Sequence, residues 1–288
     1  MKALLICPAN RPSVGMLDKE IPLSNISLLG QTLLEYWLTY LASSGVRQVT
    51  ILACDRPEYV EAITGDGARW GLSARVIVES RELTPAQALL KYESELNAAP
   101  LPNGITTLDH FPGQSQTSLF DSYATFFNSL LAWMPFARTP DRVGVREWRP
   151  GIWTGLHSHI SPDATLQAPC WIGSKVFVGA GAVIGPHTVI EDGSFVEPAA
   201  EITHSFVGPD TFVGRYSELR DSVAWGSWLA NWRTNSATIV PDAFVLCALR
   251  QPRRLQANGF LARVLERYSR NKEELQLFWK HFLMNKEG

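Results

Sequence analysis

From Ile160 to Ile202 the chain reads ISPDATLQAPCWIGSKVFVGAGAVIGPHTVIEDGSFVEPAAEI. An aliphatic residue falls at every sixth position without a miss: Ile160, Leu166, Ile172, Val178, Ile184, Ile190, Val196 and Ile202. Four places after each of the first seven sits a small or short residue: Ala164, Cys170, Val176, Ala182, Thr188, Ser194 and Ala200. A period of six matches neither the 3.6 of a helix nor the 2 of a flat strand. It matches a solenoid in which each hexad makes one short strand and one turn, and three hexads close a triangular coil. The periodic aliphatic then points into the interior, and the short residue lets the corner close. After Ile202 the phase slips by one, and Val207, Val213 and Leu219 resume the step.

Working outward, the stretch from Pro135 to Gly151 holds three prolines and two glycines before the repeat, and a domain boundary is expected near 140–151. Upstream, the chain alternates between strand and helix patterns. Lys2 to Cys7 is a buried-strand run, and Gln31 to Ser44 carries Leu34, Trp37, Leu38 and Leu41 at helical spacing. Gly45 is a helix stop. Gln48 to Cys54 and Ala74 to Glu79 are further strands, with a short helix after Pro57 between them. Thr84 to Asn97 reads as a helix with Thr84 as N-cap and Pro85 at its first position. Ile105 to Leu108 is a candidate strand and Leu119 to Met134 an aromatic helix. Strands and helices in alternation imply a parallel, doubly wound sheet. Downstream, Asn258 to Leu283 returns to helical spacing, with Leu261, Val264, Leu265 and Tyr268 on one face.

The expected architecture is therefore a shortened α/β domain over 1–150, an all-β solenoid over 151–249 and a basic amphipathic helix within 250–288. The 288 residues carry a net charge of −2. Nine Lys/Arg against four Asp/Glu lie from Arg250 onward, so the first 249 residues hold a charge of −7. That balance argues against nucleic acid as the ligand of the body. The C-terminal helix is expected to cap the solenoid, or to dock on a protein partner or a membrane surface. No apolar run reaches the ~18 residues of a membrane span. The run after Met1-Lys2 is too short for a secretory signal and reads as a strand. Four scattered cysteines with no CxxC pair make a zinc site or disulfide framework a poor reading and the cytoplasm the expected compartment.

The hexads resemble the left-handed parallel β-helix of hexapeptide-repeat proteins. In the first domain, Leu33-Leu34-Glu35-Tyr36-Trp37-Leu38, Ser44-Gly45-Val46-Arg47-Gln48-Val49 and Gly65-Asp66-Gly67-Ala68-Arg69-Trp70-Gly71-Leu72 look like sugar-1-phosphate nucleotidyltransferases. Ala86-Gln87-Ala88-Leu89 is similar to the segment that follows in their thymidylyltransferase branch. The resemblance spans about residues 1–92. It implies a nucleotide or nucleotide-sugar ligand, with Gln87 on the pyrimidine base and Mg²⁺ at a carboxylate if the chain is active.

The chain departs from that family where the chemistry belongs. The family follows its first strand with a glycine-rich loop whose amides cradle a triphosphate. Here the stretch is Cys7-Pro8-Ala9-Asn10-Arg11-Pro12-Ser13-Val14-Gly15, with two prolines that supply no N–H. Arg11 stands in for the family arginine, and Asn10 and Gly15 are the remaining candidates for nucleotide contact. Leu23 occupies the place of the family's phosphate-binding lysine, with Lys19 four residues earlier. Asp109 is the candidate for the family's metal ligand. The short stretch between Asp109 and the solenoid leaves little chain for a sugar pocket.

Three functions follow as expectations. The first is a catalytically impaired, nucleotide-binding regulator or scaffold of nucleotide-sugar or surface-polysaccharide metabolism, needing no cofactor. The second is an active nucleotidyltransferase with a shortened site built on Arg11, Lys19, Gln87 and Asp109. The third is an acyltransferase using a solenoid histidine as base, for which His187 is the candidate among His157, His159, His187 and His204. The flat solenoid faces lead us to expect a homo-oligomer.

Overall fold

The computed structural model describes residues 1–92, 104–114, 118–137 and 144–249; the helix expected within 250–288 lies outside the described residues. Contacts divide the chain into two units between Trp133 and Met134.

The first unit is built on four parallel strands: β1 (Lys2–Ile6), β2 (Gln48–Ala53), β3 (Ser73–Val78) and β4 (Ile105–Thr107). Their order is β3-β2-β1-β4. Lys2 to Ile6 pair with Gln48 to Leu52, and Leu4 to Ile6 pair with Ile105 to Thr107. Ala3, Leu4, Leu5 and Ile6 are all at most 2% exposed, so β1 is covered on both faces, as an unbroken apolar run in a parallel sheet should be. From β1 the chain steps to one side to make β2 and β3, and then returns across β1 to make β4. The topological switch point, where open α/β sheets take ligands, therefore lies at the carboxyl ends of β1 and β4.

Among the described residues of this unit the α-helices are α1 (Leu33–Ser43), α2 (Pro57–Thr64), α3 (Pro85–Lys91) and α4 (Tyr123–Trp133). The α1 helix begins two residues later than its spacing suggests. Gln31–Thr32 pairs antiparallel with Ser27–Leu28 around Leu29-Gly30, both at positive φ, the geometry of a primed hairpin turn. Thr32 then caps α1 in a reciprocal box with Glu35. The α4 helix likewise starts at Tyr123, because Ser122 and Thr125 cap each other through Ser122 N–H to Thr125 Oγ1 (2.9 Å) and Thr125 N–H to Ser122 Oγ (3.0 Å). The α3 helix packs back on the switch point, with Leu83 and Ala88 sharing a core with Leu4, Ile6 and Ile105. The loop from Glu79 to Thr84 consequently crosses the carboxyl ends of the strands.

The second unit contains three parallel sheets that wind as one solenoid. Their strands repeat at Ile152–Gly155, Cys170–Ile172, Thr188–Ile190, Phe206–Val207 and Ser222–Trp225 on one face. On the second they repeat at His159–Ile160, Phe177–Val178, Phe195–Val196 and Thr211–Val213, and on the third at Thr165–Leu166, Val183–Ile184, Glu201–Thr203 and Glu218–Arg220. Ile172 pairs with Ile190, a register of three hexads, whereas Ile190 pairs with Val207 and Ile202 with Leu219, one residue fewer. The lost residue is at the corner, where Thr203-His204-Ser205 replaces Gly185-Pro186-His187-Thr188. The periodic aliphatics from Ile172 through Val213 are completely buried and form one cluster with Val176, Ala182 and Ala200. Where the short residue carries a hydroxyl it ties successive coils: Thr188 Oγ1 donates to the Ile202 carbonyl (3.1 Å) and Ser194 Oγ to that of Gly208 (2.8 Å).

The parallel coils, expected to run to residue 249, end with Ser222–Trp225. After Trp225 the chain reverses at Gly226 (φ +56), and Trp228–Asn231 and then Ser236–Ile239 extend the first face antiparallel. Leu246–Ala248 runs antiparallel to Thr211–Val213. The buried column still holds at Ala224, in register with Val207 and one residue short of the six-step from Leu219. The six-step itself lands on Trp225, beside the turn at Gly226. At the other end, Val145–Arg149 forms a strand within the stretch where the domain boundary is expected and pairs with Ile152–Gly155 around Pro150-Gly151.

Candidate functional site

At the carboxyl edge of the first sheet, β1 ends with Ile6, and the Cys7 amide extends the pairing by donating to the Leu52 carbonyl at 2.8 Å. The chain then makes the turn Pro8 to Gly15. The amides of Ala9, Arg11, Val14 and Gly15 turn to acceptors of the protein itself. Ala9 N–H donates to Glu82 Oε2 (2.8 Å), Arg11 N–H to Asp18 Oδ2 (3.2 Å), Val14 N–H to the Arg11 carbonyl (3.0 Å) and Gly15 N–H to the Pro12 carbonyl (3.4 Å). Pro8 and Pro12 have no N–H to offer. Gly15 sits at φ −60°, a conformation open to any residue, and closes a short 3₁₀ turn over Pro12–Val14. The turn is further tied down by Met16 N–H on the Tyr123 hydroxyl (3.2 Å) and Ser13 Oγ on the Phe120 carbonyl (2.8 Å).

Arg11 is half-buried, and its fork is bidentate on Glu82: Nη1 to Oε2 and Nη2 to Oε1, each 2.7 Å. Burial alone would push the Glu82 carboxyl up, but the hydrogen bonds from Arg11 and Ala9 and the charge of Arg11 outweigh it and hold the group below its ordinary range. Arg11 is held in its charged form, first by its hydrogen bond to Glu82, with Asp109 also contributing charge. Burial is the main cause that pushes Asp18 up, against the Arg11 amide and the charge of Arg56. Arg56 pairs with Asp55 (2.8 Å) and donates from Nη2 to the Asp18 carbonyl (2.7 Å). Burial pushes the Cys7 thiol up to about 12 and raises Cys54 as well, so both are thiols at neutral pH.

Asp109 lies just beyond β4. Its Oδ1 is 2.8 Å from His110 Nδ1, and the His110 carbonyl accepts from Trp37 Nε1 at 2.8 Å. Among the described residues no group of three or more His, Cys, Asp or Glu is placed to hold a metal. Asp109 thus offers one carboxylate already engaged by histidine, which does not by itself fit a resident Mg²⁺; the ion would have to arrive with the phosphates of a substrate.

The remaining sequence candidates are spread more widely. Lys19 and Asn10 are exposed, with Lys19 adding its charge beside Asp18. Gln87, expected on a pyrimidine base, caps α3: its N–H donates to Thr84 Oγ1 (3.3 Å) and its Oε1 accepts from Thr84 N–H (3.2 Å). His187 belongs to the second unit, exposed at a solenoid corner, where its ring stacks on His204 with centroids 5.1 Å apart. The structure therefore brings Arg11 and Asp109 to one edge and adds Glu82, Asp18 and His110, which sequence reasoning missed. The available signal was Arg11 itself: a half-buried arginine in a turn short of phosphate-binding amides needs a carboxylate, although nothing in the spacing selects one 71 residues away.

The pH dependence of this clamp has a definite sign. A carboxyl held lower in the folded state than in the unfolded chain stabilises fully above the unfolded value of about 4.3 and loses that contribution as pH falls through the folded value. Glu82→Gln is expected to lower the melting temperature at pH 6–7, and the difference from wild type should close progressively below about pH 4. Thermal melts of both proteins across this range check it; a gap independent of pH would mean that the charge of Glu82 is not the source of the stabilisation.

Among the described residues no helix is long and apolar enough to cross a membrane. Residues 169–204 match the family model described as bacterial transferase hexapeptide (six repeats). The match and the parallel stacking of the strands from Ile152 to Trp225 are consistent with a hexapeptide-repeat β-helix over these coils.

Proposed function

We propose that the chain is a nucleotidyltransferase-like protein of nucleotide-sugar or surface-polysaccharide metabolism that has lost most of its catalysis and acts as a nucleotide-binding regulator or scaffold. The observation that carries this reading is the loop from Ala9 to Gly15, in which the amides of Ala9, Arg11, Val14 and Gly15 are spent on Glu82, Asp18 and the loop's own carbonyls and Pro12 supplies none. Transfer of a nucleotidyl group depends on positioning and stabilising a triphosphate with preorganised donors, and here those donors have other acceptors. The strand order and the exposed edge at the switch point support retention of a ligand-binding fold. A left-handed β-helix, homo-oligomeric in the cell, and a basic C-terminal segment that meets a partner complete the proposal.

One experiment tests it. Isothermal calorimetry of the full chain with nucleoside di- and triphosphates and nucleotide sugars is expected to give binding to at least one nucleotide class. No heat with any of them removes the nucleotide-binding role. An acyl-CoA arm in the same series addresses the second reading, which rests on His187 lying exposed inside the matched repeat. Acyl-CoA binding lost in His187→Ala, with nucleotides ignored, would favour the acyltransferase instead.

A further inference from the structure

Three donors at the switch point converge on a single carboxylate. Both terminal nitrogens of Arg11 and the Ala9 amide meet the two oxygens of Glu82 at 2.7–2.8 Å. A guanidinium fork flanked by a backbone N–H is a receptor for any oxyanion of that span, phosphate as readily as carboxylate. It lies where doubly wound sheets take their ligands, and the side chains keep 30% and 22% of their surface open to solvent.

Both sides of the contact are anchored independently of it. On one side, Cys7 N–H is tied to Leu52 and Met16 N–H to Tyr123. On the other, Glu79 N–H donates to the Ala53 carbonyl, its carboxylate pairs with Lys91, Leu83 is buried and Thr84 caps α3. Removing the Glu82 carboxylate should therefore leave the fork and the amide standing. We propose that Arg11 and the Ala9 amide form a binding site for the phosphate class of oxyanions, and that Glu82 occupies it as a built-in competitor. Asp18 and Asp109 also act on Arg11, so the opened site carries a local negative charge and takes its anion with modest affinity. The proposal rests on the function argued above only in taking the phosphates to come from a nucleotide.

The test uses the full chain and inorganic pyrophosphate, with circular dichroism to establish folding. Glu82→Ala should bind pyrophosphate about 10–100-fold more tightly than wild type, the range set by losing a charge-assisted competitor. Glu82→Gln, nearly the same shape, should shift the same way by less, and it decides the matter if the alanine variant does not fold. Adding Arg11→Gln to either variant should return binding to the wild-type level. Equal affinity in wild type and variants, or a gain that survives Arg11→Gln, overturns the proposal. A wild-type chain that ignores every nucleotide, beside a Glu82 variant that gains pyrophosphate, would sink the nucleotide reading and leave this one standing.

Discussion

Ile190→Ala is expected to cost the solenoid about 2–5 kcal/mol, toward the upper end of that range. Ile190 is fully buried in the middle of the interior column, in register with Ile172 on one side and Val207 on the other. Truncation removes the transfer free energy of three carbons and leaves a cavity. How much the site collapses decides the rest of the cost. Collapse is obstructed here, because hydrogen bonds to the coils on either side hold each coil on all three faces. The hydroxyls of Thr188 and Ser194 fasten the corners as well. A solenoid repeat contacts only its neighbours, so the defect also weakens both adjoining interfaces. Thr165, exposed on the third face, is the control: Thr165→Ala should stay within about 0.5 kcal/mol of wild type. Urea titrations of the full chain, fitted as separate transitions for its two units, measure both. An Ile190→Ala midpoint indistinguishable from wild type would mean that the six-residue column is not the core.

That column was legible because a period of six has one geometric solution, and eight consecutive aliphatics leave little room for another. The end of the repeat was legible only in part. Trp225 and Asn231 break the aliphatic step, but nothing in Trp228 to Ile239 distinguishes an antiparallel extension from an irregular further coil. In the first unit, the strands at Lys2, Gln48, Ser73 and Ile105 follow from their apolar runs, whereas the hairpin at Leu29-Gly30 depends on two successive positive φ values that leucine does not advertise. The candidate site was the least legible part. Arg11 and Asp109 could be placed by their position after strands, since the carboxyl edge collects such residues in any doubly wound sheet. Glu82 could not, because its role comes from a loop crossing the sheet and not from any local motif. Gln87 shows the converse: a residue that resembles a base-recognition element by its neighbours also satisfies the Thr84-x-x-Gln87 capping pattern, and its backbone and carbonyl groups are engaged there.

The second large effect concerns turnover. Supplied with a nucleoside triphosphate, a sugar 1-phosphate and Mg²⁺, the wild-type chain is expected to release pyrophosphate about three to six decades more slowly than a typical enzyme turning over at 1–10³ s⁻¹. Loss of a single stabilising donor commonly costs about 10²–10³ in rate, and this loop withdraws several at once. Losses within one constellation are not additive, so the lower bound is the firm part of the expectation. Glu82→Ala sharpens the argument because it separates binding from catalysis. That variant frees the Arg11 fork and the Ala9 amide, yet Pro8 and Pro12 still lack N–H groups, Gly15 still donates to Pro12, and Val14 to Arg11. It should therefore gain pyrophosphate affinity with no recovery of turnover. A coupled pyrophosphate-release assay on both proteins reads this directly. Turnover near 1 s⁻¹ in wild type would show that the prolines do not disable the loop, and turnover that appears only in Glu82→Ala would make the carboxylate, not the missing amides, the reason the native chain is slow.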